Sequence, residues 1–340
     1  MKSINNIEKK AKKKVAIVFT GGTISMTVDE EIGANIPSLS GEEILSMVTN
    51  INKVADIEVY NFAEIPGPHM NVELLMKLKN YVLDLLEKDD ICGVVVTHGT
   101  DSLEETAYFL DLQIDHEKPV VVTGAMRSSS ELGYDGSSNL SASVCTVISE
   151  QAKGQGVFVV LNNEVIPAAE ATKTNTMALN TFQSILSGPL GIIDSNELLL
   201  YRDLKGHQRT VINSDKMEEK VALFKACLSE GDIFIKYAVD QGYKGIVIEC
   251  MGRGNIPPTM FSGVEYAREK NIPVVIVSRC HSGRVLDSYG YFGSGRDLRN
   301  LGCIFGGDLN GQKARIKLML AIGKTSDQEQ IKSYFENGVY

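Results

Sequence analysis

The stretch 91-ICGVVVTHGTDSLEETAYFLDL-112 decides the architecture. It opens on an unbroken apolar run, 91–97, rich in β-branched valine, which predicts a strand buried on both faces, as in a parallel sheet. It closes on a segment of helical spacing, 103–112. Between them lie Thr97, His98, Gly99, Thr100 and Asp101. Ser102 and Glu105 fit a capping box, so a helix is predicted to start at Ser102, its amide-rich positive end facing the crevice at the strand end. Ligands of open α/β sheets bind outside the carboxyl ends of strands. Thr100 and Asp101 therefore stand where an ammonium can meet a carboxylate and a carbonyl can meet backbone N–H groups. A role for Asp101 in the cap alone would explain neither Gly99 nor the neighbouring hydroxyl.

Outward from this stretch the same unit recurs. Apolar runs at 14–19, 57–62, 119–123 and 156–161 alternate with helical patterns at 41–49, 72–87 and 138–151. This order predicts an α/β fold, with a doubly wound parallel sheet in a larger N-terminal domain over residues 1–195. The polar, charged stretch 196–219 is expected as the interdomain connection. Alternation resumes at 221–224, 245–250 and 273–278, which predicts a smaller C-terminal α/β domain over 220–340 that contributes to a subunit interface.

A chain of 340 residues has room for two domains and a sizeable core. Its 43% hydrophobic and 23% charged residues exclude a disordered, collagen-like or disulfide-scaffold chain. With 34 Lys plus Arg against 43 Asp plus Glu, the net charge of −9 offers no overall attraction to phosphate backbones or anionic lipid, so neither nucleic acid nor a membrane is expected as partner. The 6 cysteines are scattered singly and read as small buried hydrophobes of a reducing compartment. The basic start, residues 1–14, precedes an apolar run too short for a signal sequence, and no run is long enough to span a membrane. A cytoplasmic protein with a frayed basic leader is expected.

Three strand ends carry unusual side chains. In Thr20-Gly21-Gly22-Thr23 the paired glycines let the backbone turn tightly and approach a ligand, which presents the Thr23 hydroxyl. Read alone, the motif is equally a plain turn in which Thr23 bonds the backbone. The second is Thr100-Asp101. The third is Thr172-Lys173-Thr174, where a lysine among hydroxyls is no ordinary solvated face. An amine serving as base needs desolvation, because a free lysine is almost wholly charged at neutral pH. A surface lysine in a loop stays the alternative. Among 5 histidines only His98 lies beside the hydroxyls, and it is expected to be structural. Dinucleotide, P-loop, zincin and nucleophile-elbow patterns are absent.

Taken together these segments resemble the bacterial-type L-asparaginase family (asparaginase/glutaminase, cytoplasmic type I-like in length), over nearly the whole chain. The likeness is carried by TGGTIS (20–25), VVVTHGTDSLEETAYFLDL (94–112), TGAMR (123–127) with the DG and NL pairs that follow, TKTNT (172–176) and GPLG (188–191). It implies hydrolysis of the side-chain amide of L-asparagine to L-aspartate and ammonia, without cofactor or metal. Thr23 is implied as nucleophile, and Thr100, Lys173 and Asp101 as a second hydroxyl–base–carboxylate set, Asp101 also holding the substrate ammonium. Gly67, Pro68, His69, Gly99 and Ala125 are implied around the substrate. A dimer or tetramer is implied whose sites borrow residues from a neighbour, among them Arg253 and Tyr289, which interface packing explains equally well. Glutamine, other small amides, or service as the amidase subunit of a tRNA-dependent amidotransferase are the alternatives.

Two departures stand out. Gly67 occupies the position where many family members carry a serine, and loss of that hydroxyl removes one charge-assisted hydrogen bond to a substrate carboxylate, about 1.5–3 kcal/mol. The loop 25–40, implied to be mobile, contains no tyrosine to support the nucleophile.

Overall fold

The computed structural model describes residues 12–49, 51–204 and 209–336. Most of the expected basic leader, residues 1–11, lies outside the described residues.

Side-chain alternation along each central strand decides which helices cover which face. Strand β1 (Lys14–Gly21) turns Ala16 and Val18 to one side and Val15, Ile17 and Phe19 to the other, all buried. A short hairpin follows, β2 (Met26–Asp29) with β3 (Ala34–Pro37), in the segment the resemblance implied as a mobile loop. Next come α1 (Gly41–Ser46), α2 (Ile51–Val54), β4 (Asp56–Ile65), α3 (Val72–Leu86), β5 (Ile91–Thr97), α4 (Leu103–Gln113), β6 (Val120–Thr123), α5 (Gly136–Ile148) and β7 (Val157–Leu161). Helices α3 and α4 pack on the Ala16 side, with Val94, Val96, Val120 and Val122. Helices α1, α2 and α5 pack on the Ile17 side, with Val95, Val121 and Phe158.

Strands β4, β1, β5, β6 and β7 are parallel. Beyond them β8 (Glu164–Pro167), β11 (Gly191–Asp194) and β12 (Glu197–Leu200) add antiparallel, so the eight-stranded sheet is mixed, in the order β12-β11-β8-β7-β6-β5-β1-β4. Between β8 and β11 a separate hairpin forms from β9 (Thr172–Lys173) and β10 (Phe182–Gln183). The antiparallel reversals are two-residue turns at Asn162-Asn163 and Ser195-Asn196, all four residues at positive φ, as hairpin turns that match strand twist require. The second turn corrects the expected connection at 196–219. Its first residues instead form β12, and Leu198 is buried on the sheet.

The second domain holds β13 (Val221–Lys225), α6 (Ile233–Asp240), β14 (Gly245–Cys250), α7 (Pro258–Glu269), β15 (Val274–Ser278), α8 (Gly295–Asn300), β16 (Ile304–Phe305), α9 (Gly311–Lys324) and α10 (Gln328–Glu336). Its four strands are parallel and in sequential order. Helix α9 lies between this sheet and α4. Ala314, Leu318 and Ala321 share one buried cluster with Ala107, Leu110, Val247 and Val275, so a single core crosses the domain boundary. Each such leucine contributes roughly 1.5–3 kcal/mol by leaving water.

All six cysteines are free. Cys145, Cys250 and Cys303 are buried as expected, but Cys227 and Cys280 are exposed because they fall just beyond the ends of β13 and β15. No described helix is long and apolar enough to cross a membrane.

Candidate active site

Three glycines bring three loops into backbone contact at the carboxyl ends of β1, β4 and β5. A Cβ on Gly22, at φ +85°, would stand 2.4 Å from Gly99 N, and one on Gly99 would stand 2.5 Å from Gly67 N. Such distances admit only glycine. Thr23 and Thr100 each follow a residue of the Gly22–Gly99 contact, so the chain places both threonines within one residue, about 3.8 Å of Cα path, of the same point. Thr23 is half-buried and begins a short 3-10 turn, which is held by Ser25 Oγ donating to Gly22 O (2.9 Å) and Tyr134 OH donating to Ile24 O (2.9 Å).

Ser102 adds a fourth tie. Its hydroxyl donates to Gly67 O (2.6 Å), and it makes no cap bond with α4, which corrects the expected capping box. The helix begins at Leu103, one residue after the predicted start. At φ −121°, ψ 12° Ser102 turns its oxygen toward the neighbouring loop. Glu105, cast as its partner, is instead driven up from the usual carboxylate range by burial first and by the Glu104 charge second.

Lys173 reaches this point from the β9–β10 hairpin. Its Nζ donates to Thr100 Oγ1 (2.9 Å) and to Asp101 Oδ1 (2.7 Å). Thr100 is 7% exposed and the Lys173 side chain 17%, whereas the Asp101 side chain is 67% exposed. A covered hydroxyl and amine thus stand beside a carboxylate open to a solute.

His98 is buried and stays out of this set. Gly99 O can only accept, so Nδ1 carries the proton it donates there (2.9 Å), and Nε2 accepts from Thr106 Oγ1 (3.0 Å). Burial pushes its pKa down to about 4. It is neutral, fully bonded and structural, as expected.

The remaining strings shape the crevice wall. Asp135 accepts from Met126 N (3.0 Å) and Arg127 N (3.0 Å), and Asn139 Nδ2 donates to Gly124 O (3.0 Å). The DG and NL pairs thereby fold the TGAMR loop back on the sheet, with Ala125 fully buried beneath it. A groove of about 690 Å³ beside Glu218, Tyr243 and Lys270 lies on the second domain and includes none of these residues.

A family model described as "Asparaginase, N-terminal" matches residues 14–206, and one described as "Glutaminase/Asparaginase C-terminal domain" matches 220–335. The chain belongs to the asparaginase family. An L-asparaginase of Bacillus licheniformis is 37% identical over 323 residues, covering 95% of this chain and 99% of that protein. A glutamyl-tRNA(Gln) amidotransferase component from Methanosarcina barkeri is 30% identical over 344 residues, covering 97% of this chain and 80% of that protein. A crystal structure of a probable cytoplasmic L-asparaginase from Campylobacter jejuni matches with a TM-score of 0.85 at 34% identity, covering 95% of this chain and 99% of that one.

In this asparaginase-family chain Gly67 is buried within the loop contact, while Pro68 and His69 beside it are exposed. Arg253 and Tyr289 are not among the residues that line the cleft beside Lys173. Both are exposed on the second domain, and the Tyr289 ring packs 5.6 Å from that of Tyr291. Sequence reading missed Glu104, whose buried carboxylate accepts from Lys173 N (2.7 Å). Its only local signal was an acidic residue in a helical first turn, a common place for one.

Proposed function

We propose that this chain is an L-asparaginase, opening the side-chain carboxamide of L-asparagine to give L-aspartate and ammonia through an acyl-enzyme on a threonine. The observation that carries the reading is the sharing of Lys173 Nζ between Thr100 Oγ1 and Asp101 Oδ1, beside the glycine contact that also carries Thr23.

A threonine hydroxyl is a weak nucleophile until a base takes its proton, and a covalent intermediate divides amide hydrolysis into two easier steps. In the first, the Thr23 oxygen bonds the amide carbon, the C–N bond breaks, and the hydroxyl proton leaves on nitrogen as ammonia. In the second, water oxygen bonds the acyl carbon, the ester bond to the Thr23 oxygen breaks, and a water proton returns to that oxygen, releasing the acid. Asp101, open to solvent, takes the substrate ammonium and in doing so gives up its pairing with Lys173. Backbone N–H groups near Gly99 and Thr100 hold the oxyanion.

Gly67 follows from the packing. A Cβ there would stand 3.0 Å from Gly99 O and 3.2 Å from Ser102 Oγ, so the space beside that residue is already filled. Anchoring of the substrate carboxylate then falls to Gly67 N and to the His69 side chain, since Pro68 has no N–H and His69 N donates to Pro66 O (2.9 Å). We place the enzyme in the cytoplasm, as a homo-oligomer in which Arg253 and Tyr289 approach a neighbour's crevice.

The test is ammonia release from L- and D-asparagine, glutamine and small amides by wild type, Thr23→Ala and Lys173→Ala. L-Asparagine is expected to lead, with both variants at least a hundredfold slower. Full activity of Thr23→Ala would move the nucleophile to Thr100.

A further inference from the structure

Lys173 is gripped from the second domain. The Glu104 carboxylate that accepts from Lys173 N is 4% exposed, and its other oxygen accepts from Gln312 Nε2 and from Asn310 Nδ2 (3.1 Å) at the start of α9. Lys313, 1% exposed, donates to Ala169 O (2.9 Å) and Ala171 O (2.5 Å) on the segment leading into β9. The groups held are the carbonyls at 169 and 171, on the turn that leads into β9, and the N–H of 173 in β9 itself. Strand β9 pairs with β10 at two positions, Phe182 with Lys173 and Gln183 with Thr172, and Thr174 N donates to Thr181 O (2.8 Å) beyond them. An isolated hairpin is marginal in water even at full length. So short a ladder does not fix the Lys173 backbone by itself.

We infer that Glu104 and the first turn of α9, through Asn310, Gln312 and Lys313, are positioning residues for Lys173, so that the second domain sets the reactivity of the first. The inference rests on the asparaginase reading above. Buried carboxylates and ammonium groups need partners in any fold. What sets these apart is that they fall on Glu104, which holds Lys173 N, and on the carbonyls at 169 and 171 of the segment that leads into Lys173. Displacing a reacting group by about 1 Å can cost about a hundredfold in rate, and Lys173 Nζ has only 2.7–2.9 Å contacts to lose.

The experiment is a double-mutant cycle on the full chain, with ammonia release from L-asparagine as readout. Gln312→Ala is expected to lower kcat about tenfold, equivalent to about 1.4 kcal/mol, and to move KM less than about threefold. Lys313→Met is expected to cost more, and Gln312→Ala keeps the test alive if Lys313→Met folds poorly. The decisive comparison is Gln312→Ala within Lys173→Ala. Loss of the Gln312 effect there supports positioning through Lys173, because a merely structural defect would lower both backgrounds alike. An equal fold-loss in the two backgrounds, or a silent Gln312→Ala in an active enzyme, overturns this inference alone. No ammonia from the wild type overturns the asparaginase reading with it.

Discussion

At the carboxyl end of β5 the loop 98–101 leaves a hydroxyl and a carboxylate for Lys173, whereas at the carboxyl ends of β14 and β15 the polar groups satisfy one another. Ser278 Oγ donates to Gly252 O (2.5 Å) and accepts from Cys280 N (3.1 Å). Arg279 spends its N–H on Cys250 O (2.9 Å) and its guanidinium on Ala226 O (3.0 Å). Both sheets are parallel at these strands and both obey the rule that ligands gather at strand ends. Their glycines differ in purpose. Gly22, Gly67 and Gly99 admit another backbone, while Gly252 and Gly283, at positive φ with nothing within 4 Å of a built Cβ, serve a turn. Lys173 and the end of β15, Ser278 to His281, line one cleft of about 270 Å³, and we propose that close backbone approach decides which of its walls carries the chemistry.

The largest test of that contrast is a pair of substitutions. Lys173→Met is expected to lower kcat about a thousandfold, about 4 kcal/mol, while Ser278→Ala stays within about twofold in the same ammonia assay. Comparable losses from the two would erase the distinction.

The next uses pH. His98 has its pKa lowered by burial to about 4 against an ordinary value of 6.5, so between those values the unfolded chain binds the proton and the folded chain does not. Stability is therefore full above about pH 6.5 and falls as pH drops toward 4, by roughly 3 kcal/mol from this group. Urea unfolding at pH 7 and pH 4, wild type beside His98→Gln, isolates that share, and an unchanged difference between the two pH values in the variant would reject it.

Glycine substitutions sharpen the comparison further. Gly99→Ala is expected to destabilise by roughly 1–3 kcal/mol, because the methyl meets the Gly67 backbone, and to remove most turnover. Gly252→Ala has open space and should cost only about 1 kcal/mol from its left-handed backbone, with turnover kept. Thermal unfolding and kcat together would show whether approach or turn geometry matters at each end.

The smallest effect belongs to Ser102→Ala, which loses the bond to Gly67 O at about 1 kcal/mol. Since Ser102 does not cap α4, the far-ultraviolet helix signal should stay unchanged while KM rises a few-fold.

Much of the first domain was legible because its central strands are apolar on both faces and short, so they stand out as runs. Strands β8, β11 and β12 were not. Asn162-Asn163 and Ser195-Asn196 reverse the chain without the glycine that usually announces a two-residue hairpin, relying on the tolerance of asparagine and its neighbours for positive φ. At the site, Thr23, Thr100 and Asp101 could be named from strand-end motifs and Lys173 from its hydroxyl neighbours, although Lys173 lies within β9, with β8 between it and the end of β7. The support for Lys173 could not, since Glu104 meets Asn310 and Gln312 across 206 and 208 residues of sequence, and no local pattern spans such a distance. Ser102 shows the converse: a correct local pattern was overridden when a neighbouring carbonyl offered its hydroxyl a better partner.

Helix α9 has a further consequence for how the molecule comes apart. Its apolar stripe is interior to both halves at once, so neither half can melt without baring a surface that the other was keeping dry. Heat should accordingly reveal one cooperative transition rather than two. A fragment ending at residue 204 would carry the naked flank of α4 into solution, where aggregation is the ready way to cover it.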